Sequence, residues 1–225
     1  GARNDTDAID NSAGVDTSDH EVNIKIVTGM LEGAGSLTRK RRDTLLASMT
    51  DEVAEHVLDH NYDQTLALSL MEMDSAGELP PHAAFMAGVE AAGRLDRQVE
   101  GLPDATEIAE RQQAGQGLTR PELSVLLAYG KLELKRDLAV GPALDEPYFE
   151  GLLEDYFPKA LRKYHDQIRR HRLRQEIIAT VVANEIINRC GPSFPTRLMV
   201  AAGCNAHAIV VGYEAAKQGL GAPAL

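Results

Sequence analysis

Tryptophan is absent from the 225 residues and aromatic side chains make up only 4% of them, which removes the stacking platforms that single-stranded nucleic acid or carbohydrate would need. Positive charge is also in short supply. Lys and Arg number 23 against 34 Asp and Glu, a net charge of -11, so phosphate backbones and anionic lipid would repel the chain as a whole. No nucleic-acid partner and no membrane partner are expected. Cysteine occurs twice, at Cys190 and Cys204, too rarely to staple a chain of this size. Both read as packed thiols of a reducing, cytoplasmic setting. The opening GARNDTDAID has no apolar core of the signal-peptide kind, and the most apolar stretch, IIATVVANEII at 177–187, contains Asn184 and Glu185 and is too short to span a bilayer. No run alternates strictly over five residues between turns, and no internal repeat is visible.

What is present is helical punctuation. Ser18 followed by Glu21 matches a capping box, with Val22, Ile26 and Met30 at four-residue spacing behind it, and predicts a helix over 19–32 that stops at Gly33 and Gly35. The first eleven residues hold three Asp and two Asn and read as irregular. A basic helix is predicted over 38–47. From Thr50, two helices should meet near Asn61. Pro80 and Pro81 start another that stops at Gly93, and a polar helix over 105–114 ends at the Gly115 and Gly117 breaker. Thr119, Pro121 and Glu122 give the clearest start of all, for a helix to about residue 139, before Gly141 and Pro142. Asp145 opens the next; 160–189 reads as nearly continuous helix; 194–202 and 205–218 are the last two. The final GLGAPAL reads as a frayed end. The fold class is therefore all-α, ten or more helices joined by short turns.

One segment has the makings of a site. In NSAGVDTSDHEVN, residues 11–23, a turn of small residues feeds a capped helix start, where backbone N–H groups and the positive end of the helix dipole can seat a carboxylate or phosphate. Ser18 stands at that end. The same residues also satisfy a purely architectural reading, with Ser18 as the cap and 11–14 as a tight turn.

That string, TDAIDNSAGVDTSDHEVN, resembles a segment near the end of the dehydrogenase domain of glutamate dehydrogenases, whose pattern is N-x-G-G-V-x-x-S-x-x-E. Asn11, Gly14, Val15, Ser18 and Glu21 match it, and Ala13 replaces a common Gly. Further strings follow in order: NYDQTLALSL, GQGLTRPELSVLLAYGK, YFPKALR and HRLRQEIIATVVANEIINR are similar to the large bacterial NAD-specific members, so the resemblance runs from Thr6 to about Tyr213. It implies that Asn11 lies near the nicotinamide end of NAD, that Val15 lines the glutamate pocket and that the Ser18 hydroxyl helps hold a substrate carboxylate. Glu21 is kept as a capping residue.

No G-x-G-x-x-G follows a strand in this sequence, and nothing resembles the family's catalytic Lys and Asp segments, so no catalytic residue is assigned. The resemblance thus implies a C-terminal piece of a longer enzyme, with 1–35 as the terminal strip of its dinucleotide-binding catalytic domain and 36–225 as a helical domain. The implied activity is conversion of L-glutamate to 2-oxoglutarate and ammonium with NAD. Its partners would be the rest of its own polypeptide and, in a homo-oligomer, further copies. A self-standing helical interaction or scaffold module is the rival.

Two other constellations remain. His56 and His60 are spaced i, i+4, as helical metal ligands can be, but the sequence places no third ligand. They read as surface or partly packed histidines, and no metal is expected; His20 carries no assigned role. The run RKYHDQIRRHRLR, 162–174, is a basic stripe whose arginines, Arg169, Arg170, Arg172 and Arg174 among them, read first as a solvated or internally paired face and second as a protein interface.

Overall fold

The computed structural model describes residues 4–139, 144 and 147–220. Among them are thirteen helices and no strand, as an all-α chain requires. In chain order they are α1 (Asp7–Asp10), α2 (Ser12–Gly33), α3 (Arg39–Ala47), α4 (Thr50–Met73), α5 (Leu79–Ala91), α6 (Ala105–Gln113), α7 (Arg120–Leu138), α8 (Pro147–Tyr156), α9 (Lys159–Arg162), α10 (His165–Arg169), α11 (Arg174–Cys190), α12 (Phe194–Ala202) and α13 (Ala206–Leu220). The expected features at Gly141, Pro142 and Asp145, and most of the final GLGAPAL, lie outside the described residues.

Starts with a side-chain cap form where the sequence puts them. The Thr38 hydroxyl accepts from the Arg41 N–H, Asp104 accepts from the Glu107 N–H at 2.8 Å, and the Thr119 N–H donates to Glu122 at 2.6 Å. Each satisfies a backbone group that the first turn would otherwise leave orphaned. Gly93 and Gly203 take positive φ of 68° and 61° just past α5 and α12, conformations that favour glycine.

Four expectations are corrected. Helix α2 begins at Ser12, so Ser18 lies in its second turn and does not cap it; Glu21 pairs with Lys25 instead of closing a capping box. The reason is tertiary: Ser12 donates to Asn61 at 2.7 Å and Asp16 accepts from His60, so partners on α4 hold residues 12–18 in helical form. The stretch before it contains a short helix, α1, around the buried Ile9. No corner forms at Asn61, whose amide bonds back to the Val57 carbonyl and leaves α4 unbroken. Lastly, 160–189 is divided into α9, α10 and α11, with the His171 ring accepting the Leu173 N–H at the break before α11.

The chain forms two compact units. One comprises Gly1–Asp10, Asp63–Asp137 and Ala183–Leu225, and the other Asn11–Tyr62 and Leu138–Val182. The first, here called the charged unit, has a core of Leu68, Phe85, Met86, Leu123, Leu127 and Ile187, all under 4% exposed. Two glycines set its closest approaches. A methyl group on Gly130 would fall 2.8 Å from Pro192 Cα, and one on Gly117 would fall 2.2 Å from the carbonyl carbon of Ser75. The second, here called the histidine unit, packs Val27, Leu31, Phe149, Phe157, Leu161 and Ile168. Within it α2 meets α3 and α10, and α8 meets α9 and α10. Cys190 and Cys204 are free and half-buried, and burial pushes the Cys190 thiol pKa up. No single described helix is long and apolar enough to cross a membrane.

Candidate functional site on helix α2

An α-helix turns about 100° per residue, so Asn11, Val15, Ser18 and Val22 fall within an arc of about 60° while Asp16, His20, Asn23 and Val27 fall opposite. The structure separates the two sets by exposure. Asn11 and Ser18 are exposed, and Val15 and Val22 are 66% and 47% exposed, whereas His20, Asn23 and Val27 are buried. The three residues implicated by the resemblance therefore share one outward stripe of α2. Its chemistry is mixed in a useful way, since Val15 offers an apolar surface one turn from the Ser18 hydroxyl. The N-terminal end of the helix lies at Ser12, beside Asn11, and not at Ser18. Any grip of Ser18 on an anion thus comes from its hydroxyl, without the dipole contribution that a helix start at 19 would have added.

The inward face carries chemistry that the sequence did not disclose. Asp16 accepts a hydrogen bond from His60 Nδ1 at 2.7 Å, and its other oxygen lies 3.7 Å from His20 Nε2. The His20 ring is 1% exposed, stacks on Tyr156 with centroids 4.4 Å apart, and lies 5.8 Å from the His56 ring. Burial, reinforced by the neighbouring histidines and opposed by Asp16, lowers the His20 pKa to about 4. Tyr156 is raised to about 12 for the same first reason, its hydroxyl accepting from Asn23 at 2.9 Å. The i, i+4 spacing of His56 and His60 was the available signal. What it lacked was the second helix, whose Asp16 and His20 lie some forty residues away in sequence.

The basic run is partly accounted for inside its own unit. Arg162 pairs with Asp155 at 2.6 Å, and Arg169 with Glu154 and Glu150 at 3.2 and 3.4 Å. Arg170 and Arg172 instead line an open groove with Lys25, Ile26 and Met30.

Comparison with known proteins places these features in context. The family described as bacterial NAD-glutamate dehydrogenase, catalytic domain, matches residues 1–71, and that described as glutamate dehydrogenase, C-terminal, matches residues 115–225. The NAD-specific glutamate dehydrogenase of Halomonas elongata is 45% identical over 226 aligned residues, which take in 100% of this chain and 14% of the relative. That of Pseudomonas aeruginosa is 45% identical over 95% of this chain, and that of Mycobacterium tuberculosis 44% over 88%, again covering 13% and 12% of the relatives. The chain spans about one seventh of the length of these proteins.

Proposed function

We propose, on the premise that this chain belongs to the bacterial NAD-dependent glutamate dehydrogenase family, that it supplies part of the substrate-side wall for oxidation of L-glutamate to 2-oxoglutarate. The reaction would consume glutamate, NAD and water and yield 2-oxoglutarate, ammonium and NADH. One observation carries the assignment: Asn11, Val15 and Ser18 share the exposed stripe of α2. Val15 would pack on the methylenes of glutamate while the Ser18 hydroxyl donates to a carboxylate. Asn11, one turn further out, would face the nicotinamide end of the cofactor.

NAD, when bound, supplies the hydride acceptor. The described residues contain no strand and no glycine-rich turn leading from a strand into a helix, so they do not fit the cradle of a whole dinucleotide, and only Asn11 is offered to it. In this reading residues 1–35, which end with the matched pattern and its helix, are the terminal strip of the catalytic domain, and 36–225 form a helical region packed on the rest of the polypeptide in a homo-oligomeric enzyme. Arg170 and Arg172, beside Lys25, form the cationic face we assign to that contact.

Ser18→Ala in a full-length glutamate dehydrogenase carrying this segment tests the assignment. A charge-assisted hydrogen bond is worth about 1.5 to 3 kcal/mol, so KM for glutamate should rise roughly tenfold or more with KM for NAD little changed. Because Ser18 is exposed and caps nothing, stability should move by no more than about 0.5 kcal/mol. An unchanged KM for glutamate would remove Ser18 from the site.

A further inference from the structure

We propose that Asp16, His20 and His60 form a binding site for a divalent transition-metal ion of the zinc type, which ties α2 to α4 within the histidine unit. Asp16 and His20 sit at i, i+4 on α2, and His56 and His60 at i, i+4 on α4, so two helices each present a pair of ligand-type side chains across one seam. One ligand atom from each of Asp16, His20 and His60 lies within 4.8 Å of the others.

The geometry suits zinc. Ligands about 2.0–2.1 Å from a tetrahedral ion stand about 3.3 Å apart, and the observed separations of 2.7 Å (Asp16 to His60) and 3.7 Å (Asp16 to His20) bracket that value. Small side-chain rotations would therefore complete the set. The independent indication is His20. Its ring is 1% exposed, yet neither nitrogen has a hydrogen-bond partner, although a buried polar atom left unpaired typically costs about 1–3 kcal/mol. Donation of the Nε2 lone pair to an ion would satisfy one of these atoms.

The donor set also argues for the class of ion. Two imidazoles and one carboxylate suit zinc and its neighbours better than magnesium or calcium, which favour all-oxygen shells. Tyr156 lies flat against His20 and closes one side, and the His56 ring stands at 5.8 Å as a candidate fourth ligand. This site is on the opposite face of α2 from Asn11, Val15 and Ser18, and its existence does not depend on their assignment.

The test uses the 225-residue chain, stripped with a chelator, and cobalt(II) as a spectroscopic probe. One equivalent of cobalt should produce the visible absorption of a low-coordinate nitrogen and oxygen site, zinc(II) should abolish it by displacement, and either ion should raise the melting temperature. Asp16→Asn and His60→Ala, neither of which empties the core, should each weaken binding at least tenfold while retaining the helical circular dichroism of the parent. His165→Ala, at an exposed histidine of α10, should leave binding unchanged. The proposal fails if the folded chain shows neither the visible bands nor a thermal shift, or if Asp16→Asn and His60→Ala bind cobalt as tightly as the parent.

Discussion

The two compact units solve the problem of buried polarity in opposite ways. In the charged unit, the buried ions have counter-ions. Arg120 contacts Asp5 at 2.6 Å and Glu72 at 3.3 Å, Glu133 lies between Arg94 and Arg136, and Glu214 meets Lys217 at 2.8 Å. In the histidine unit the buried polar side chains among the described residues are His20, Asn23, Thr28 and His171, with no carboxylate, lysine or arginine. Ion pairs hold their charge across the neutral range but are costly to break singly. Neutral rings are cheap to bury at neutral pH but become a burden when protons are plentiful. The difference teaches that one unit is vulnerable to substitution and the other to acid.

The largest expected effect breaks the first half of that contrast. Arg120 fills its guanidinium with Asp5, Glu72, the Ser69 hydroxyl and the Thr65 carbonyl, so Arg120→Met would strand the buried Asp5 carboxylate and remove a second ion pair. Denaturant unfolding should show a loss of about 3–5 kcal/mol. A loss under 1 kcal/mol would mean that the pairs of the charged unit contribute little.

His82 sharpens the second half, because it is a ring of the histidine kind lodged in the charged unit. It is 2% exposed, its Nδ1 has no hydrogen-bond partner, and burial, with Arg197 adding to it, lowers its pKa to about 4. The unfolded chain, with a histidine pKa of about 6.5, therefore binds the proton first as the pH falls. Its contribution to stability is intact above pH 6.5 and is lost between about 6.5 and 4, by on the order of 3 kcal/mol. His82→Leu should flatten that part of the stability profile by a similar amount, as read from unfolding curves at several pH values. An unaltered profile would place the acid sensitivity elsewhere.

Packing gives a smaller effect. Gly130→Ala puts a methyl 2.8 Å from the Cα and Cβ of Pro192, backbone and ring atoms that yield poorly, and should cost about 1–3 kcal/mol with the ion pairs untouched. If melting temperature is unchanged, α7 and the turn at Pro192 are less tightly joined than the contact requires.

Local signals in the sequence were sufficient wherever a helix end is settled by its own residues. Thr38, Asp104 and the Thr119 and Glu122 pair mark real starts because each side chain reaches a backbone group three residues away. Ser18 and Glu21 have the same spacing and misled, since bonds from Ser12 and Asp16 to α4 override the local preference. Asn61 misled likewise, being a turn former whose amide is occupied within a helix and against Ser12. The outward stripe was legible through family resemblance, and helical geometry then explains why residues 11, 15 and 18 belong together. The inward cluster was not legible, because Asp16 and His60 meet only after the chain has folded back over 44 positions.

The stack of Tyr156 on His20 has a spectroscopic consequence. With six tyrosines and no tryptophan in the chain, ultraviolet emission and near-ultraviolet circular dichroism are dominated by phenol rings, unmasked by indole. Tyr156 is the one whose ring lies against His20 and whose hydroxyl is held by Asn23, so it sits in an asymmetric, half-buried setting, unlike Tyr62, which is 65% exposed. Replacing Tyr156 by Phe would identify its share of the signal by subtraction. The chain thus carries its own unlabelled optical probe of the seam between α2, α4 and α8, readable in stopped-flow or titration without altering a surface residue.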